Sequence, residues 1–172
     1  MTATTETAQP LPELLGWLRE HEIDFELHEH TTTYTARATA RAEGVDPQTF
    51  AKTLGVVSDD GRRCLVVLDA TDQLDLARAR RLLNARHVRL LREDELAEIS
   101  PAVEVGALPP VPLWHLPIYA DYAVRYDPEI SFPAGTHAHA VRVDREAWEA
   151  SAGVIYGDLA MDVDGRPIWA RS

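Results

Sequence analysis

DPQTFAKTLGVVSDDGRRCLVVL, residues 46–68, is the stretch whose reading decides the fold. Asp46 is an N-cap residue and Pro47 suits the first helical position, so the segment opens with a helical turn. Thr53–Ser58 and Arg63–Leu68 are strands, and Asp59-Asp60-Gly61 between them supplies the turn of a hairpin. The second strand carries the apolar run Cys-Leu-Val-Val-Leu. Lys52 stands at the junction where the helical turn passes into the first strand.

Upstream, Leu11, Leu14, Leu15 and Leu18 fall at i, i+3, i+4 and i+7, an amphipathic helix running to about Glu22. Asp24–His30 alternates Phe25 and Leu27 against polar neighbours, as a half-buried strand does. Thr35 caps an alanine-rich helix that Gly44 ends. Downstream, Asp72 or Asp75 opens a helix whose buried stripe is Leu76, Ala79, Leu82 and Leu83. Val88–Leu91 is a short strand, Glu93–Ile99 a helix stopped by Pro101, and Val103–Pro117 a proline-rich loop. Ile118–Tyr126 and Ile130–Phe132 are extended, Pro133-Ala134-Gly135 turns, and His137–Val143 is a strand. Asp144 caps a helix to about Ser151, and Val154–Trp169 makes a last hairpin about Asp164-Gly165. This mixed order predicts one α+β domain over residues 11–172, after a frayed, disordered tail at 1–10.

Composition limits the function. With 28 acidic and 17 basic side chains in 172 residues the net charge is −11, which argues against a broad nucleic-acid-binding face on DNA or RNA. A hydrophobic fraction of 45% with 26% charged residues is that of a folded soluble chain. The least charged stretch, Ala107–Ala120, holds four prolines and a histidine, so no membrane helix is expected. Residues 1–10 lack the basic start and apolar run of a signal peptide, and a cytoplasmic location is expected. Cys64 alone forms no internal disulfide, and its apolar strand makes it a core residue rather than a nucleophile.

Three groups of residues could carry chemistry. Lys52 is the one lysine beside sixteen arginines, a hint that its position needs a compact ammonium and not a planar fork. Val105-Gly106-Ala107-Leu108-Pro109-Pro110 is a stiff loop in which glycine allows close backbone approach, and its N–H groups could face a carbonyl oxygen. His28/His30 and His137/His139 are His-x-His pairs. On strands each pair would put two imidazoles on one face about 7 Å apart, within reach of one metal or one polar pocket. No nucleophile elbow, P-loop or dinucleotide fingerprint is present.

Taken in order, these pieces resemble the YbaK family of aminoacyl-tRNA deacylases, related to the editing domain of bacterial prolyl-tRNA synthetases. The resemblance covers roughly residues 11–160. It rests on the strand ending in His30, the Asp46-Pro47 to Lys52-Thr53-Leu54 junction with its hairpin, and the Asp72-x-x-Asp75-Leu76 helix start. Gly106-x-x-x-Pro110, the Leu116-Pro117-Ile118…Asp121 strand and the Ala134-Gly135 turn complete it. The resemblance implies a mixed, twisted, barrel-like sheet flanked by helices. It also implies a free-standing hydrolase that cleaves the ester of a mischarged aminoacyl-tRNA without metal or organic cofactor. Hydrolysis would lean on substrate hydroxyls and an ordered water. By the same resemblance Lys52 lies by the terminal adenosine and its phosphate, and Gly106 to Pro110 hold the aminoacyl carbonyl. His30, Ala107, Leu108, Asp121, Gly135, His137 and His139 join the substrate-binding set. The implied partner is the tRNA 3′ end, with an aminoacyl-tRNA synthetase as a second candidate. Relatives carry an acidic or differently placed polar group where this chain reads His137-Ala138-His139-Ala140, so its amino-acid pocket is expected to be recast. Two rival readings remain: a binding module of the same fold without turnover, and a metal-dependent hydrolase built on the His-x-His pairs.

Overall fold

Residue 63 begins a strand that must be covered twice, and the rest of the chain is arranged to do so. The structure, a computed structural model, describes residues 8–161. In it β2 (Ala51–Ser58) and β3 (Arg63–Asp69) form the expected hairpin, with Val57 opposite Arg63 and Ala51 opposite Asp69. Gly61 takes the left-handed conformation (φ 84°) that the turn requires. Leu65 and Val67 of β3 enter one apolar cluster with Leu14, Leu18, Phe132 and Trp148. Cys64, Val66 and Leu68 enter a second with Leu74, Ala79, Leu83 and Leu159. Burial pushes the Cys64 thiol up to about 11, so it is inert at neutral pH, as its place in the strand predicts.

The strands form two sheets where one mixed sheet was expected. β4 (Val88–Leu90), β2, β3, β5 (Ile118–Asp121) and β8 (Ile155–Gly157) lie side by side in that order. The β3–β5 and β5–β8 pairs are parallel, and the β2–β3 and β2–β4 pairs antiparallel. The second sheet is antiparallel, with β7 (His139–Asp144) between β1 (Phe25–Glu29) and β6 (Glu129–Pro133). A single parallel bridge between Phe50 and Ser131 joins the two. The fold is one α+β domain.

Helices close the faces. α1 (Pro12–Glu20) and α5 (Arg145–Ala152) cover the first cluster, with Trp17 and Trp148 buried. Trp148 Nε1–H donates to the carbonyl of Pro110 at 2.8 Å, pinning the proline-rich loop. α3 (Leu76–Leu82), capped by the Asp75 carboxylate, covers the second. Its stripe is narrower than the periodicity predicts: Ala79 and Leu83 are buried, but Leu76, the first residue of the helix, is 42% exposed. α2 (Ala36–Glu43) begins at Thr35, whose hydroxyl accepts from Ala38 N–H, and ends at a left-handed Gly44, as expected. α4 (Glu93–Ile99) has its expected bounds.

Two further expectations are corrected. Ile118–Tyr126 is not extended throughout: after Asp121 the chain turns into a 3-10 helix, Tyr122–Tyr126, because the Asp121 carboxylate caps Ala123 N–H. β1 stops at Glu29 and β7 starts only at His139, so His30 and His137 lie outside the strands. Ile155–Gly157, the described part of the expected last hairpin, pairs in parallel with β5. Residues 1–7 of the tail expected at 1–10, and the turn at Asp164-Gly165, lie outside the described residues. No described helix is long and apolar enough to cross a membrane.

Two buried carboxyl groups shape the stability. Asp121, 2% exposed, accepts from Leu159 N–H and Ala160 N–H through Oδ1 and from Ala123 N–H through Oδ2, each at 2.9 Å. Asp121→Ala leaves three buried N–H groups without an acceptor and is expected to cost about 3–5 kcal/mol. Asp121→Asn, which keeps Oδ1, should cost less than half as much, and thermal unfolding reads the difference. Asp69 closes β3 beside Asp127. Burial, then the charges of Asp127, Asp72 and Asp121, hold its carboxyl well above the ordinary value of 3.8. Asp127 is raised too, by burial and Asp46, against the opposing pull of Arg145 and Arg142. The folded state therefore keeps a proton that the unfolded chain gives up. Stability is fully present below the unfolded value and falls as pH rises through neutrality. Urea denaturation at successive pH values should show this decline, and Asp69→Asn should flatten it.

Candidate functional site

Beyond the Lys52 end of β2 the covering layers part, leaving a cavity of about 420 Å³. Five pieces of chain wall it. Thr33–Arg37 and Thr39 come from the start of α2, Lys52, Thr53 and Leu54 from β2, and Ala70–Gln73 from the segment leaving β3. Gly106 contributes from the proline-rich loop, and Pro133, Thr136, His137 and His139 from the turn between β6 and β7. These pieces are far apart in sequence and are brought together by the β2–β3 hairpin and the Phe50–Ser131 bridge.

Lys52 is half-buried in this wall and makes no ion pair among the described residues. Burial lowers its pKa, the Asp72 carboxylate raises it, and Arg37 lowers it again. Desolvation is the largest of these, so the ammonium is short of solvation and favours an anionic partner. Arg37, exposed at the rim, donates to the Thr71 carbonyl at 3.3 Å. Thr53 Oγ1 is buried and has no hydrogen-bond partner among the described residues.

Opposite Lys52, the β6–β7 turn supplies the histidines. His139 is 5% exposed, and its Nδ1 lies 2.7 Å from Thr136 Oγ1. Such a pair looks like a nucleophile and its base. Thr136 is itself buried, however, and its oxygen already accepts from Ala138 N–H at 3.1 Å, so the hydroxyl orients the ring. His137 stands at the mouth, its ring 5.0 Å from that of the exposed Tyr34. Gly106 abuts it: a Cβ there would meet His137 Cε1 at 3.4 Å, and its φ of 86° suits glycine. In the same loop the Ala107 N–H is spent on the Glu104 carbonyl, whereas the Gly106 N–H makes no hydrogen bond among the described residues.

The structure thus brings together Lys52, Gly106, His137 and His139, and places the other expected residues elsewhere. Ala107, Leu108 and Pro110 are buried behind the wall; Leu108 packs in the core and Pro110 receives Trp148. Gly135 is a packing glycine. A Cβ there would meet Leu11 Cβ at 2.7 Å, and its backbone is laced to Ala107 and Glu104. Asp121 spends both oxygens on backbone N–H groups. His30 turns away from the cavity: Nδ1 meets the Thr31 carbonyl, and Nε2 lies 3.6 Å from Glu43. His28 also faces Glu43, at 3.3 Å. The four histidines therefore do not converge, although Glu29 is in register with His139. No group of three or more metal-ligating side chains occurs among the described residues. Tyr34, Arg37, Asp72 and Thr136 were not expected at the site. The Thr-rich run at 31–35 and the Asp72-x-x-Asp75 pattern were the available signals.

Residues 30–150 match the family model of the aminoacyl-tRNA editing domain. Over 135 residues, 77% of this chain, the sequence is 33% identical to a proline–tRNA ligase of Shouchella clausii (strain KSM-K16), of whose length the match spans 23%. Among solved structures, a protein proposed as a trans-editing enzyme for prolyl-tRNA synthetase superposes with a TM-score of 0.78 at 25% identity. That alignment covers 90% of this chain and all of the other. The hypothetical protein APE2540 superposes with a TM-score of 0.79 at 21% identity, over 87% of this chain and 99% of its own.

Proposed function

The chain belongs to the aminoacyl-tRNA editing domain family, a family of deacylases, and from that premise we propose that it hydrolyses the ester of a mischarged aminoacyl-tRNA in this cavity. The observation that carries the reading is the lone lysine, half-buried and without an ion-pair partner among the described residues, in the wall of a cavity large enough for an aminoacyl-adenosine end. Lys52 is the group that meets the phosphate or ribose of the terminal nucleotide, and Arg37 at the rim faces the same approach. The Gly106 N–H is the loop's donor toward the aminoacyl carbonyl.

The chemistry asks little more. An aminoacyl ester is already activated, so orientation of the ester and of one water supplies most of what is needed. Water adds to the carbonyl carbon, and the negative charge that develops on its oxygen is met by the Gly106 N–H. The ester C–O bond then breaks, the ribose oxygen takes a proton, and the free amino acid leaves. The vicinal ribose hydroxyl, next to the ester, is the relay for that proton. Cys64 is buried in the second apolar cluster, outside this chemistry. The partner is the 3′ end of a charged tRNA, and the match to a proline–tRNA ligase supports tRNAPro as the first to test.

Deacylation across a panel of charged tRNAs tests the activity. Lys52→Ala should reduce kcat/KM by about ten- to a hundred-fold through loss of a charge-assisted contact, with the melting temperature nearly unchanged. Lys52→Arg should not restore full activity, because a planar guanidinium cannot place its charge at the same point. Normal rates in a folded Lys52→Ala protein would remove this residue from the mechanism. Salt dependence gives a second check. A chain of net charge −11 that meets one to three phosphates should show a log–log slope no steeper than about −2, at roughly −0.7 per phosphate on a single strand.

A further inference from the structure

We infer that His139, with its tautomer set by Thr136, presents an N–H donor on the floor of the cavity and selects aminoacyl groups whose side chain carries a hydroxyl oxygen. This rests on the deacylase reading above and names the substrate class within it.

The tautomer follows from counting hydrogen-bond capacity. A threonine hydroxyl has one proton to give and two lone pairs. Thr136 Oγ1 receives the Ala138 N–H on one lone pair, and its remaining contact among the described residues is His139 Nδ1 at 2.7 Å. If Nδ1 carried a proton, it would fill the second lone pair and leave the buried Thr136 proton without an acceptor. Thr136 is only 6% exposed, so water does not readily substitute. The arrangement that satisfies every atom has Thr136 donating to Nδ1, which puts the ring proton on Nε2.

Nε2 in turn makes no hydrogen bond to the protein among the described residues, and it is not among the sealed polar atoms. On a residue that lines the cavity and is 5% exposed, it therefore opens inward. Depth decides what it meets. Tyr34, Arg37 and Gly106 are exposed and Lys52 is half-buried, so the nucleotide and carbonyl contacts are made toward the mouth. An aminoacyl group entering ahead of its nucleotide puts its side chain against His139. Of the other lining residues, Leu54, Ala70 and Pro133 are apolar, the Thr39 hydroxyl is spent on Thr33 and the Thr35 carbonyl, and the Thr53 hydroxyl has no partner among the described residues. A small side chain with an oxygen acceptor satisfies Nε2–H. A methyl group of the same reach leaves it buried and unpaired, the situation in which a polar site discriminates most strongly.

The test uses the full chain with two non-hydrolysable probes, 3′-serylamino- and 3′-alanylamino-3′-deoxyadenosine, together with 15N NMR of the histidine rings. Nitrogen shifts recorded where the ring is neutral should report the Nε2–H form for His139, and Thr136→Val should change that pattern. The seryl probe should bind at least about ten-fold more tightly than the alanyl probe. His139→Phe should bring the ratio to near one. His139→Gln, whose amide N–H falls near the position of Nε2, should restore part of it. An Nδ1–H ring, or equal affinity for the two probes, overturns the inference. Neither readout requires hydrolysis. Seryl preference without turnover on any charged tRNA would uphold the donor and overturn the deacylase reading, while turnover without seryl preference would do the reverse.

Discussion

Burial of β3 on both faces is the constraint from which the rest of the structure follows. Leu65 and Val67 need cover on one side, and Cys64, Val66 and Leu68 on the other. Local structure cannot provide both, so α1, α5 and the three-stranded sheet are recruited to one face and α3 with residues 159–160 to the other. Asp121 holds that second cover in place by taking the N–H groups of Leu159 and Ala160. Toward Asp69 the apolar run ends and the covering layers diverge. Ala70 to Gln73, leaving β3, and Lys52, in register with Leu68, therefore border open space. The cavity is the place where the double cover stops.

Much of this is legible in the chain because the signals are local. Thr35 and Gly44 bound α2, Asp75 opens α3, Pro101 lies just beyond α4, and Asp59-Asp60-Gly61 sets the hairpin register. What is not legible depends on partners distant in sequence. Asp121 reads as a site carboxylate until residues 159 and 160 occupy it. Gly135 reads as a substrate glycine until Leu11 packs where its side chain would be. His30 shares the His-x-His pattern with His139, yet its ring is turned toward Glu43, a residue of the helix that follows. Alternation was the wrong guide to His137 and His139, since His137 precedes the strand. Both reach the cavity because the turn after Gly135 carries them there. Lys52 was legible for a different reason: in a chain that otherwise uses arginine, one lysine at a strand entrance is a departure that composition alone exposes.

Electrostatics bears on how so acidic a chain would accept the polyanion proposed for it. Its negative charge sets an unfavourable background for a tRNA, which limits contact to a small area and makes the local field at the entrance matter. There the balance is reversed. Lys52 and Arg37 border the cavity with Asp72 as the opposing carboxylate, and desolvation leaves the Lys52 ammonium more in need of an anion than a surface lysine would be. A phosphate arriving at that point gains more than it would on a solvated basic patch, because less water separates the charges. The proposed end-on approach is consistent with this arrangement: one terminal nucleotide would reach these cations, while the body of the nucleic acid would stay away from the acidic surface. A cavity at the end of a doubly covered strand suits that approach, since it exposes little of the molecule beyond its own mouth.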